Sequence, residues 1–135
     1  MAGFADTFEN DLCKLIFQGT GIANLADNAT TAPLTSLFVG LHTADPLDTG
    51  DQGLNAPGYA AYLRVAVGRT STAWTIVGNS VTPSANIDFA QQTTAGAATV
   101  THASIGFTSV TTSGKIIVSG AVTPNITLGQ NVTPR

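Results

Sequence analysis

The run Ala98-Thr-Val-Thr-His-Ala-Ser-Ile-Gly-Phe-Thr-Ser109, the pair Ser113-Gly114 and the run Lys115-Ile-Ile-Val-Ser-Gly-Ala-Val122 decide the fold between them. Thr, Val and Ile recur through both runs, and such residues fit a pleated, half-buried surface better than a helix. Ser113-Gly114 reads as a hairpin tip, because glycine supplies the backbone freedom of a tight turn. Working outward, Leu37-Phe-Val-Gly-Leu-His-Thr43 is a strand pattern that breaks at Ala44-Asp-Pro46. Further strands are expected near 62–68, at 73–77 around Trp74, at 86–89, and near 126–133. Gly78-Asn79, Pro83-Ser84, Thr94-Ala-Gly96 and Pro124-Asn125 mark turns between them. Short strands at regular spacing predict an antiparallel β-sandwich over residues 35–135, of jelly-roll or immunoglobulin-like topology.

One helix precedes the strands, within a helical segment at residues 1–21. Asp6 can cap it and Glu9 follows three positions on, as in a capping box. Phe8, Leu12, Leu15 and Ile16 then recur at helical spacing, and Gly19-Thr-Gly21 stops it. A helix this short needs a surface to pack on. Residues 1–135 are read as a single domain, since no second unit or fixed repeat is visible.

Charge is scarce. Only 10% of the 135 residues are Asp, Glu, Lys or Arg, against about 25% in an ordinary globular domain. No Asp, Glu, Lys or Arg occurs from Phe89 to Gly114, and none from Ile116 to Pro134. Charge normally keeps a protein from associating with itself, so surfaces this poor in it are expected to be covered by neighbours. The net charge of −3, with Lys14, Arg64, Arg69, Lys115 and Arg135 scattered along the chain, argues against nucleic-acid binding. No apolar run approaches the length of a membrane span.

Chemical motifs are few. The single cysteine, Cys13, cannot form an intrachain disulfide and reads as a small buried hydrophobe. Asp45, Asp48 and Asp51 form the one acidic cluster, in a long loop at 45–58. Their spacing does not match a helix–loop–helix calcium site, so the loop reads as solvated or as docking on a basic neighbour. Asp88 is expected to face outward, with Arg64 or Arg69 as its candidate partner. His42 and His102 fall in different strand patterns, and zinc would need three or four ligands. There is no Gly-x-Ser-x-Gly elbow and no phosphate loop. Trp74, Tyr59, Tyr62, Phe89 and Phe107 read as core. These observations predict a non-enzymatic protein with no cofactor and no metal.

The order of features resembles a group of small tailed-bacteriophage virion proteins, variously labelled tail-fibre, minor structural or capsid decoration proteins. The resemblance lies in the N-terminal helix with its Gly-rich stop, Leu37-Phe-Val-Gly-Leu-His-Thr-Ala-Asp-Pro46, Tyr62-Leu-Arg-Val-Ala-Val67 and Trp74. It continues through Asn86-Ile-Asp-Phe89, Thr101-His-Ala-Ser-Ile-Gly-Phe107, Gly114-Lys-Ile-Ile-Val-Ser-Gly-Ala-Val122 and Gly129-Gln-Asn-Val132. It implies a virion structural protein. The small size, without a repetitive shaft, favours a cement protein on the assembled head, forming a homotrimer and binding the major capsid protein. The alternative is a tail or tail-fibre component, an adaptor or receptor-binding knob, with other tail proteins as partners. In either case the expected docking residues are Phe8, Leu12, Leu15 and Ile16 of the helix and Asp45, Asp48 and Asp51 of the loop, with no nucleic acid or membrane as partner.

Overall fold

The structure, a computed structural model, describes residues 3–18, 20–23, 25, 34–77 and 80–135; the side chains at 13–16 and 76 are not described. Its elements in chain order are β1 (Gly3–Phe4), α1 (Asp6–Gln18), β2 (Ser36–His42), β3 (Val65–Gly68), β4 (Trp74–Val77), β5 (Ser80–Pro83), β6 (Ala98–Gly106) and β7 (Ile116–Leu128). The protein is mainly β with one short helix, as its sequence predicts. Five strands form one antiparallel sheet in the order β1-β7-β6-β2-β3, and β4 and β5 form a separate antiparallel ribbon.

The hairpin expected around Ser113-Gly114 is the spine of the sheet. β6 and β7 pair from Ala98↔Leu128 down to Gly106↔Ile116. Gly114, at φ 138, takes a backbone conformation that a side chain would strain. Pro124-Asn125 does not separate two strands. The register steps from Val100↔Ile126 to His102↔Ala121, so residues 122–125 bulge out of one continuous β7. The strand expected near 126–133 is therefore the far end of β7. The strand expected at 86–89 is irregular chain; Phe89 is held by its amide on the Pro134 carbonyl at 2.9 Å. β1 and β5 had no strand signal of their own. β5 lies between two turn signals, and its four residues are all exposed.

The helix begins one residue earlier than its cap pattern implies. The Ala5 carbonyl accepts the amides of Phe8 and Glu9 at 2.8 and 2.9 Å, so Ala5 is the N-cap. Asp6 is the first helical residue, and its amide donates to the Asp48 carbonyl at 3.1 Å. Asp6 and Glu9 still place negative charge where the helix dipole favours it. Phe8 packs between Phe4 and Phe107, with ring centroids 5.3 and 6.2 Å away. Asp11 pairs with Lys115 at the foot of β7.

Register places Leu37, Val39 and Leu41 of β2 on one face of the sheet with Ala103 and Ile105 of β6. The β4–β5 ribbon lies over that face. Phe38, Gly40 and His42 share the other face with Ser104 and Gly106, and the loop 43–64 folds onto it. The core joins Val39, Leu41, Tyr62, Phe89, Val100 and Leu128. The second layer of the expected sandwich is thus a two-stranded ribbon on one side and a loop on the other.

Candidate functional site

Three places concentrate chemistry. The first is a polar clasp between the loop 43–64 and the sheet. His42 and His102 lie directly opposite each other on β2 and β6. His42 Nδ1 is 2.7 Å from the Leu54 carbonyl and Nε2 is 2.7 Å from Ser104 Oγ. A carbonyl only accepts, so Nδ1 carries the proton and Nε2 accepts from the serine hydroxyl. Burial pushes the His42 pKa below 6.5, against the Leu54 hydrogen bond, which raises it. The pair has the outline of a nucleophile and its base, yet His42 is 0% and Ser104 2% exposed.

Gln52 donates from Nε2 to the Phe38 carbonyl at 2.9 Å, above Gly40 and Gly106. A Cβ on Gly106 would lie 2.2 Å from Gln52 Oε1 and 2.5 Å from the Lys115 carbonyl, so only glycine fits there. Arg64 is also buried. Its Nη1 donates to the Thr108 and Ser113 carbonyls at 3.1 and 2.9 Å, tying the loop to the β6–β7 connection. Burial lowers its pKa, while the Tyr62 and Asp51 charges favour the cation. The Tyr62 hydroxyl receives the Leu41 amide at 2.8 Å and faces the Leu41 carbonyl at 3.3 Å. This phenol replaces the strand partner that β3 no longer provides, since the β2–β3 pairing stops at Val39↔Val65.

The second place holds the expected docking residues. The helix and the loop 45–58 do come together: besides the Asp6–Asp48 bond, a Cβ on Gly50 would lie 2.3 Å from Thr7 Oγ1. Phe8 is buried, Leu12 is half-buried, and the side chains of Leu15, Ile16 and Cys13 lie outside the described residues. Asp45 Oδ1 receives the Leu47 amide and Asp51 Oδ1 the Gly53 amide, each at 2.8 Å, so both carboxylates shape local turns. Asp45 also stands 3.9 Å from His102 Nε2. Asp48 is exposed, and its carbonyl receives the Asp6 amide. Asp88 pairs with Arg135 at 3.3 Å, not with Arg64 or Arg69. Among the described residues no group of three or more His, Cys, Asp or Glu is placed to hold a metal ion, and no helix is long and apolar enough to cross a membrane.

The third place carried no sequence signal beyond Trp74. Between the ribbon and the sheet runs an apolar groove with two lobes of about 620 and 490 Å³. Trp74, Val81 and Ile105 line both lobes. Trp74 Nε1 is buried, with no acceptor among the described residues. Trp74 does pack against the core, as its sequence context predicts, but it also forms a groove wall.

The chain is short of charge, and Gln52 and Arg64 brace the loop 43–64 against the sheet and the β6–β7 connection. The family model described as podophage GP4 fiber I protein gp80 matches residues 3–134, so the chain belongs to that family and is a tailed-phage virion structural protein. No curated protein matches the chain.

Proposed function

We propose that the protein is a non-enzymatic subunit of the phage tail-fibre apparatus, which self-associates and docks on other tail proteins. The family description carries this reading, because it speaks of a fibre and covers nearly the whole chain. It draws the assignment away from a cement protein on the head, which nothing in the family description favours. The fold supports a subunit role. Its polar pairs brace the loop 43–64 against the sheet, and among the described residues an apolar groove beside Trp74 suits protein contact.

Immunogold electron microscopy of intact virions tests the reading. Label confined to the tail, at a copy number matching the fibres, is expected. Label spread over the head, at a copy number matching the shell, would reinstate the cement reading.

A further inference from the structure

We propose that residues 43–55 form an acid-released strap: a proton taken up at His42 lifts this segment off the sheet while β6 and β7 stay paired. It is a property of the fold, independent of the fibre assignment.

The strap is closed at its neck. Thr43 donates to the Asn55 carbonyl from its amide at 2.8 Å and from Oγ1 at 3.2 Å. Asn55 Nδ2 returns a bond to the Asp45 carbonyl at 2.9 Å. Tied ends of this kind make a compact loop that can move as a unit. Its seating on the rest of the molecule is mostly polar. The Leu54 carbonyl meets His42, Gln52 Nε2 donates to the Phe38 carbonyl, and the Gln52 amide donates to the Gly114 carbonyl. The Gly50 and Asp48 carbonyls take the Ile116 and Asp6 amides. Apolar seating is thin: Pro46 is buried, but Leu47 and Leu54 are 53% and 38% exposed. Segments with few buried apolar contacts are the first to open.

His42 is where acid acts. On protonation Nε2 gains a hydrogen, and Ser104 Oγ can turn to accept it, so both hydrogen bonds of the ring survive. What the closed form accommodates poorly is the charge, because a buried cation needs a counter-charge. Arg64, at the far end of the loop 43–64, and His102, opposite on β6, act against a cation at His42. Arg64 Nη1 is held on the Thr108 and Ser113 carbonyls, which keeps its charge in place. Of the charged groups only Asp45 favours the cation; it is half-exposed and already stands beside His102. The Tyr62 hydroxyl lies on the same side, near Gly40, and burial raises its pKa further, so it carries no charge. Lifting the strap brings the imidazole to water, where its charge is solvated. The same movement frees Asp45, Asp48 and Asp51 and unties Asp6 at the start of the helix.

Hydrogen–deuterium exchange of the full chain tests this, followed by mass spectrometry from about pH 7.5 to 5 and corrected for the intrinsic rate of each amide. Protection of the strap is expected to be level above 6.5, the ordinary histidine value. Below that it is expected to fall by about tenfold per pH unit, while β6 and residues 118–128 of β7 keep theirs. His42→Gln retains a hydrogen-bonding side chain that does not titrate, and is expected to abolish the slope. His102→Gln is expected to leave it.

Strap protection that stays level over the whole range overturns the proposal. So does a slope shared by β6 and β7, which would mean that the whole molecule unfolds. A slope that survives His42→Gln, or that His102→Gln removes, places the proton elsewhere and overturns it too. Should His42→Gln fail to fold, the wild-type contrast between strap and sheet and the His102→Gln slope still decide.

Discussion

His42 Nε2 and Ser104 Oγ stand 2.7 Å apart across β2 and β6, sealed from solvent, with the serine donating. Because burial holds the His42 pKa below 6.5, the unfolded chain takes up a proton at a pH where the folded chain still refuses it. The stability this contributes is complete above pH 6.5 and is lost as pH falls from there through the lowered folded value. The melting temperature is expected to drop on acidification below pH 6.5. His42→Gln is expected to start less stable and to lose less over the same interval. A wild-type melting temperature that stays flat from pH 7 to well below 6.5 would contradict the assignment of a neutral, buried imidazole.

Removing the Ser104 hydroxyl strands a buried acceptor. Ser104→Ala is expected to lower unfolding stability by about 1–3 kcal/mol, measured by urea denaturation. A fluorophosphonate probe is expected to leave Ser104 unlabelled in the folded protein. Labelling at native stability would show that the pair is reachable and would reopen the question of catalysis.

Gly106 allows Gln52 to lie against the sheet. Gly106→Ala forces a Cβ against the Lys115 carbonyl, which as backbone cannot step aside. A loss of about 1–3 kcal/mol is expected. Gly3→Ala is the control, since nothing lies within 4 Å of its added Cβ, and it is expected to be neutral. Equal melting temperatures for the two variants would mean that the clasp yields more easily than its contacts imply.

The helix is held more by an aromatic side chain than by an ion pair. Phe8→Ala removes a buried ring between Phe4 and Phe107 and is expected to cost about 3–5 kcal/mol. Lys115→Ala breaks a half-exposed pair with Asp11 and is expected to cost about 1 kcal/mol or less. The ratio of the two losses in chemical denaturation checks the order. A larger loss for Lys115→Ala would make charge the main anchor.

The strands with alternating β-branched residues were legible, and so was their hairpin at Ser113-Gly114, because period and turn chemistry are local. β5 was not, because Ser80–Pro83 sits between two turn signals and gains its strand character only from pairing with β4. The continuity of β7 through Pro124 was hidden for a similar reason: a local turn signal is absorbed as a bulge when β6 supplies a partner on both sides. His42 and Ser104 are 62 residues apart, so their pairing is a property of strand register. The acidic loop was visible as a feature, but not the use of its carboxylates as turn braces. The groove was least legible, since it arises from what the ribbon fails to cover and not from any residue pattern.

The phenol of Tyr62 has a consequence for how such molecules can join. By occupying both main-chain groups of Leu41, it denies that stretch of β2 to any foreign strand seeking a hydrogen-bonding template. Along this margin, growth by backbone zippering is blocked. Neighbours must meet through side chains, which can be matched to one companion and released again.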